Sequence, residues 1–140
     1  MQPQRAQKIR KGRKAMKNEL IDQLSNKIIG LAIKVHKALG PGFVEKVYER
    51  ALEEELKKEK IEFKTQEEIK IKYGNIYIGG QRLDFLIEDE VILELKSVSE
   101  INEIHKAQMI SYLKAANKRL GLILNFAKKR LEIKRIVNNF

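Results

Sequence analysis

The sequence predicts a mixed α/β domain, an α+β sheet flanked by helices, with the element order ααβββαββ. Three observations carry that reading. Apolar residues recur at three- and four-residue steps through the first part of the chain, which marks amphipathic helices. The period drops to two after about residue 68, as half-buried strands require. A helical period then returns after Ser97 and gives way before Gly121 to short apolar runs of strand length. At 140 residues the chain has the size of one domain, able to bury roughly two thirds of the surface its unfolded form exposes.

The first helix reads from Glu19 to Leu39, with Leu20, Leu24, Ile28, Leu31, Val35 and Leu39 on one face, and Gly40-Pro41-Gly42 stops it. Phe43, Val47, Ala51, Leu52 and Leu56 repeat at helical spacing, so a second helix is expected to run to about Lys60. Ile69, Ile71 and Tyr73 then alternate with Lys70 and Lys72, and Gly74-Asn75 supplies a hairpin turn before Ile76, Tyr77 and Ile78. Gly79-Gly80 is expected to break or bulge that second strand, which resumes at Arg82 and runs to Glu88. A turn at Asp89-Glu90 leads into a third strand, Val91 to Lys96. Ile104, Ala107, Gln108, Ile110, Ser111, Leu113 and Lys114 imply a third helix, with Ser99 or Asn102 as its N-cap. Leu122–Phe126 and the alternation at Leu131, Ile133 and Arg135 close the sheet.

Composition narrows the function classes. The chain is 43% hydrophobic and 34% charged, and it has no Cys, which excludes disulfides, thiolate metal sites and cysteine nucleophiles. Its apolar stretches fall far short of a membrane span, and no apolar core of a secretory signal follows the first basic residues. The expectation is a protein with no membrane partner in a reducing, cytoplasmic setting.

The formal charge of +10 is uneven, because Arg5, Lys8, Arg10, Lys11, Arg13, Lys14 and Lys17 all precede the first acid, Glu19. Residues 1–18 have few apolar side chains and contain Pro3 and Gly12, so a flexible basic arm is expected there, joined near Asn18 to a domain spanning 19–140. Those seven residues are the candidate nucleic-acid contacts. If about five of them met phosphates of a duplex, affinity would fall roughly 500-fold between 50 and 200 mM salt. A solubilising tail and an anionic membrane surface remain alternatives for the arm.

The candidate chemistry lies on the second and third strands. In Val91-Ile-Leu-Glu-Leu-Lys96, alternation puts Glu94 and Lys96 on the same face as Ile92. Asp84 stands between apolar Leu83 and Phe85 on the preceding strand. A two-residue turn would place Asp84 opposite Leu95, so convergence with Glu94 or Lys96 requires an odd-length turn or a bulge. Two carboxylates about 4 Å apart repel by roughly 4 kcal/mol at an effective dielectric near 20, a cost that a hard divalent cation such as Mg²⁺ or Mn²⁺ removes. Such an ion also activates water and neutralises phosphoryl charge, with Lys96 placed to stabilise developing negative charge. Against this stands the simpler reading of Glu94 and Lys96 as a solvated face or an ion pair. Gln108 and Tyr112, four apart on one helix face, could point at the same place. Glu45 opens the second helix one turn before Tyr48, where an acid also suits the helix dipole.

Taken together, Leu39-Gly-Pro-Gly-Phe-Val-Glu45-Lys-Val-Tyr48, Asp84, Glu94-Leu-Lys96 and Gln108-x-x-x-Tyr112 resemble the small prokaryotic GxxExxY proteins of the PD-(D/E)XK nuclease superfamily. The likeness covers roughly residues 20–137, with Leu83 where the superfamily motif has Pro. It implies a metal-dependent phosphodiesterase in which Asp84, Glu94 and Glu45 hold Mg²⁺ or Mn²⁺. Lys96 is then the active lysine, and Gln108 and Tyr112 position the substrate phosphate or that lysine. His36 fits the family's first helix and reads as mainly structural, while His105 reads as surface. The expected function is hydrolysis of phosphodiester bonds, with DNA as the expected substrate. The competing reading is a catalytically silent nuclease fold that binds nucleic acid or regulates, including as a subunit of a defence or repair assembly. A homodimer or a protein partner is compatible with either.

Overall fold

A computed structural model of the chain describes residues 3–138; Met1 and Gln2 of the expected arm and Asn139 and Phe140 of the expected domain lie outside the described residues. The element order is α1 (Pro3–Leu39), α2 (Glu45–Lys58), β1 (Phe63–Tyr73), β2 (Ile76–Ile87), β3 (Val91–Lys96), α3 (Glu103–Ala116), β4 (Leu120–Asn125) and β5 (Glu132–Val137). This is the ααβββαββ order expected from sequence.

Helix α1 crosses Asn18 without a break, so the expected junction there is absent as a change of secondary structure. The physical reason is composition. Between Pro3 and Asn18 the chain is mostly Gln, Arg, Lys, Ala and Met, all strong helix formers, and Gly12 alone opposes them. Pro3 sits at the first helical position, where its missing N–H costs nothing. The buried stripe is Ile21, Ser25, Ile28, Ala32 and Val35, one position out of phase at its start with the expected one: Ile21 is in the core, and Leu20 is 63% exposed.

The five strands form one sheet in sequence order, antiparallel except for the β3–β4 pair. Helix α3 makes the crossover that a parallel pair requires. Helices α1 and α2 cover one face, through Ile28, Tyr48, Leu52 and Leu56 against Phe85, Leu93, Leu122 and Phe126. Helix α3 covers the other, through Met109, Tyr112 and Leu113 against Leu83, Ile92 and Ile123. Strands β3 and β4 are therefore buried on both faces, and apart from Glu94, Lys96 and Asn125 they are almost wholly apolar. Gly121 lets α3 lie close on β4, since a Cβ there would meet Met109 Sδ at 2.4 Å.

Two departures from regular pairing matter for the site. Gly79-Gly80 does not break β2, because Ile71 and Lys70 pair across them, but a bulge lies beside them as expected: the ladder passes from Ile71↔Gly79 to Lys72↔Tyr77 and leaves Ile78 unpaired. Strand β1 also begins earlier than its alternation suggested, at Phe63. Within it Gln66 has φ +53, and the β1–β2 ladder passes from Thr65↔Phe85 to Glu67↔Leu83 without a Gln66–Asp84 pair. Phe85 and Ile87 face α1 and α2 whereas Leu83 packs under α3, so the sheet reverses its apolar side at the level of Asp84.

Candidate active site

The register of β2 on β3 decides whether the two acids meet. Phe85↔Leu93, Leu86↔Ile92 and Ile87↔Val91 close a three-residue turn at Glu88-Asp89-Glu90, in which Glu88 and Asp89 adopt φ +53 and +56. The turn has odd length, and continuing that register sets Asp84 opposite Glu94. The regular ladder then ends and the side chains take over its hydrogen bonds. Asp84 N donates to Glu94 Oε1 at 3.2 Å, and Leu95 N donates to Asp84 Oδ2 at 2.8 Å.

Glu94 is 8% exposed. Burial, and after it the charge of Asp84, push its carboxyl up to about 8, with the nearby Lys96 ammonium opposing the rise. Without a cation the pair therefore keeps a proton near neutral pH. Adjacent, oxygen-only carboxyls of this kind suit a hard divalent ion, which takes the proton's place and relieves the repulsion. Tyr112 is buried beside the pair; burial first, then the charges of Glu94 and Asp84, raise its phenol, while a hydrogen bond with Gln108 opposes them. Asp84, Glu94, Lys96, Tyr112 and Gln108 thus form one neighbourhood on β2, β3 and α3.

Glu45 stands apart from it. Its Oε1 accepts a hydrogen bond from Ser97 N at 3.1 Å, at the end of β3. Ser97 is three residues past Glu94, about 10 Å along an extended strand. Among the described residues no three His, Cys, Asp or Glu side chains gather as a metal site, so Glu45 is not brought into a set with Asp84 and Glu94. It borders an open groove of ≈ 540 Å³ lined by Gly42, Phe43, Val44, Lys46 and Ser97.

Tyr48 does more than pack. Its hydroxyl donates to Gly40 O at 2.6 Å and accepts from Phe43 N at 3.1 Å, and its ring stacks on Phe126 at 4.4 Å. It clamps the turn in which Gly40 and Gly42 have φ +70 and +115, and so fixes where α2 and Glu45 begin. His36 is buried, with Nε2 2.8 Å from Lys128 O and its ring against Phe126, which agrees with a structural role. His105 is not simply surface: it completes a capping box with Asn102, the N-cap of α3. Sequence reasoning missed Asn125, whose amide spans Val98 N, Val98 O, Ala127 N and Glu132 Oε1 and ties the loop after β3 to β5. A lone Asn ending an apolar strand was the available signal. Arg5, Lys8, Arg10, Lys11, Arg13, Lys14 and Lys17 are exposed along α1, with Lys17 3.5 Å from Glu90.

Comparison with known proteins agrees with this fold. A family model described as the PD-(D/E)XK nuclease superfamily matches residues 22–136. No curated protein matches the chain. Among solved structures, the crystal structure of SSO0001 is similar in fold, with a TM-score of 0.53 and 20% identity over 68% of this chain; the matched region is 50% of that chain. Among the described residues no helix is long and apolar enough to cross a membrane. With the family match spanning most of its length, the chain belongs to the PD-(D/E)XK nuclease superfamily, whose members are usually nucleases that use divalent metal.

Proposed function

We propose that this protein is a Mg²⁺- or Mn²⁺-dependent nuclease of the GxxExxY group that hydrolyses phosphodiester bonds in DNA. The observation that carries the reading is the pairing of the half-buried Asp84 with the buried Glu94, held by exchange of side-chain to backbone hydrogen bonds beside Lys96. Asp84 and Glu94 would hold the metal, which when bound supplies charge neutralisation at the phosphate and a lowered pKa for water. Burial and the Leu95 amide fix the orientation of the carboxyl groups, so little reorganisation is needed when substrate arrives. Lys96 brings a cation to the same strand face and would stabilise charge developing on the phosphoryl oxygens. Tyr112, oriented by Gln108, offers a phenolic donor that burial keeps protonated. Glu45 at Ser97 would act at the rim of the site, with substrate entering along the groove beside it. The exposed cations of α1, Arg5 to Lys17, would add grip on phosphates without reading sequence.

The test is incubation of the wild type and of Glu94→Ala with labelled linear, circular and branched DNA, with Mg²⁺, with Mn²⁺ and with chelator. The expected result is product that requires both metal and Glu94, and the circular substrate separates endonuclease from exonuclease action. Salt-sensitive binding with no metal-dependent product would instead establish a binding protein on a nuclease fold.

A further inference from the structure

Beyond Asp84 and Gln66, β1 and β2 leave the body of the sheet and continue as a two-stranded ribbon. Strand β2 pairs with β3 only from Phe85 onward, while its pairing with β1 persists to Tyr73↔Ile76. Every residue from Lys72 to Gly80 is exposed, and Tyr73, Ile76, Tyr77 and Ile78 present 76%, 67%, 62% and 62% of their surface. Between Glu68 and Asp84 the chain carries Lys70, Lys72 and Arg82 and no acid. The ammonium groups of Lys70 and Lys72 both lie 5.5 Å from the centroid of the Tyr77 ring. Neither lysine has an ion-pair partner among the described residues, whereas Lys64 on the same strand reaches Glu67. Two like charges gathered on one aromatic ring repel, and an incoming anion relieves them.

We propose that this ribbon is an arm that grips the phosphate backbone of a nucleic-acid duplex, away from the bond positioned at Asp84 and Glu94. The inference rests on the nuclease reading for the location of the cut, but the arm's binding is separable from cleavage. Charge selects the occupant: past the Glu68↔Arg82 pair the ribbon carries Lys70 and Lys72, two exposed tyrosines and no acid, which complements a polyanion. The strand supplies the ruler. Tyr77 is seven residues from Asp84, which at about 3.3 Å per residue is roughly 23 Å. The turn at Gly74-Asn75 is about 30 Å away, so the arm reaches phosphates roughly seven to nine base pairs from the cut at 3.4 Å per pair. Lysines that merely protect a sheet edge from aggregation would have no effect on DNA affinity.

The experiment uses the full chain carrying Glu94→Ala, so that cleavage does not disturb binding, and measures fluorescence anisotropy with a 30-bp duplex from 50 to 200 mM salt. Adding Lys70→Ala and Lys72→Ala is expected to lower the salt slope by about 1.8, from about 0.9 per phosphate contact. Lys70→Arg with Lys72→Arg keeps the charge and is expected to keep the slope, which separates loss of contact from loss of fold. An unchanged slope in the alanine variant overturns the proposal. So does a change in sedimenting mass at unaltered DNA affinity, which would make the ribbon a contact between two copies of the chain. Cleavage is read separately, in chains that keep Glu94: a slope that depends on Lys70 and Lys72, from a protein that cuts no DNA, supports the arm and overturns the nuclease reading.

Discussion

Replacing Glu94 by Gln should make the metal-free protein more stable at alkaline pH, and the size follows from the site. Burial and Asp84 raise the Glu94 carboxyl from its ordinary 4.5 to about 8. Below pH 4.5 the group is protonated in both folded and unfolded chains, so folding is undisturbed by it. Between 4.5 and 8 the unfolded chain loses the proton while the folded one keeps it, and stability falls as pH rises. At 1.36 kcal/mol per pH unit, the loss reaches about 3 kcal/mol at pH 7 and levels off near 5 kcal/mol above pH 8. The amide introduced by Glu94→Gln retains an oxygen to accept from the Asp84 N–H and cannot ionise, so the variant's stability should lack this decline. Urea unfolding of both proteins in chelator at pH 5, 6.5 and 8 measures the difference, in which contributions common to both chains cancel. Added Mg²⁺ should then stabilise the wild type increasingly as pH rises, by about 2.7 kcal/mol at a hundred times its dissociation constant, and do little for Glu94→Gln. Parallel pH profiles of wild type and variant would refute the argument that burial and Asp84 hold a proton on this pair.

The remaining predictions probe separate parts of the frame. Lys96→Ala should abolish metal-dependent cleavage while circular dichroism and urea midpoint stay near wild type, because Lys96 is only partly buried and ends β3; retained cleavage would remove it from the chemistry. Tyr48→Phe leaves Gly40 O and Phe43 N without their partner and should cost about 1–3 kcal/mol in chemical denaturation. Gly121→Ala drives a methyl into Met109 and should destabilise by about 1–3 kcal/mol, with Met109→Ala in the same chain easing the clash. Neutralising Arg5, Lys8, Arg10, Lys11, Arg13, Lys14 and Lys17 together should flatten the salt dependence of DNA binding with little change in the urea midpoint, since all seven are exposed and a surface ion pair such as Lys17–Glu90 contributes little.

What the sequence made legible follows from how each element is stabilised. Helices α2 and α3 bury apolar residues at helical spacing and strand β3 is a short, nearly continuous apolar run, so their existence and order could be read from the pattern. The amino-terminal half of α1 could not be read that way, because its helix comes from propensity and continuity with the buried stripe behind it. Phe63 to Glu68 escaped for the opposite reason: Lys64, Glu67 and Glu68 hide an alternation that only Phe63 and Thr65 carry. At the site, Glu94 and Lys96 shared a face by parity, and the odd turn was required before Asp84 could join them. Tyr48, Asn125 and His105 act through hydrogen bonds to backbone groups brought close by the fold, and no periodic pattern announces such bonds.

The left-handed Gln66, which sequence periodicity could not anticipate, joins the odd-length turn in building the carboxylate pair. Gln66 is a non-glycine residue in the left-handed region inside a strand, a conformation that costs about 1–3 kcal/mol unless its surroundings enforce it. Glu49, a buried acid of α2, accepts from Gln66 Nε2 at 3.1 Å and holds the residue there. The consequence appears across the ladder. With no Gln66–Asp84 pair, the Asp84 amide is taken by Glu94 rather than by β1, and the apolar phase of β2 changes sides between Leu83 and Phe85. A regular β1 would satisfy Asp84 through its own ladder and keep Leu83 and Phe85 on one side, and the acid would lose its place against Glu94. Pattern reading assumes an unbroken period, and this protein assembles its carboxyl groups where the period breaks.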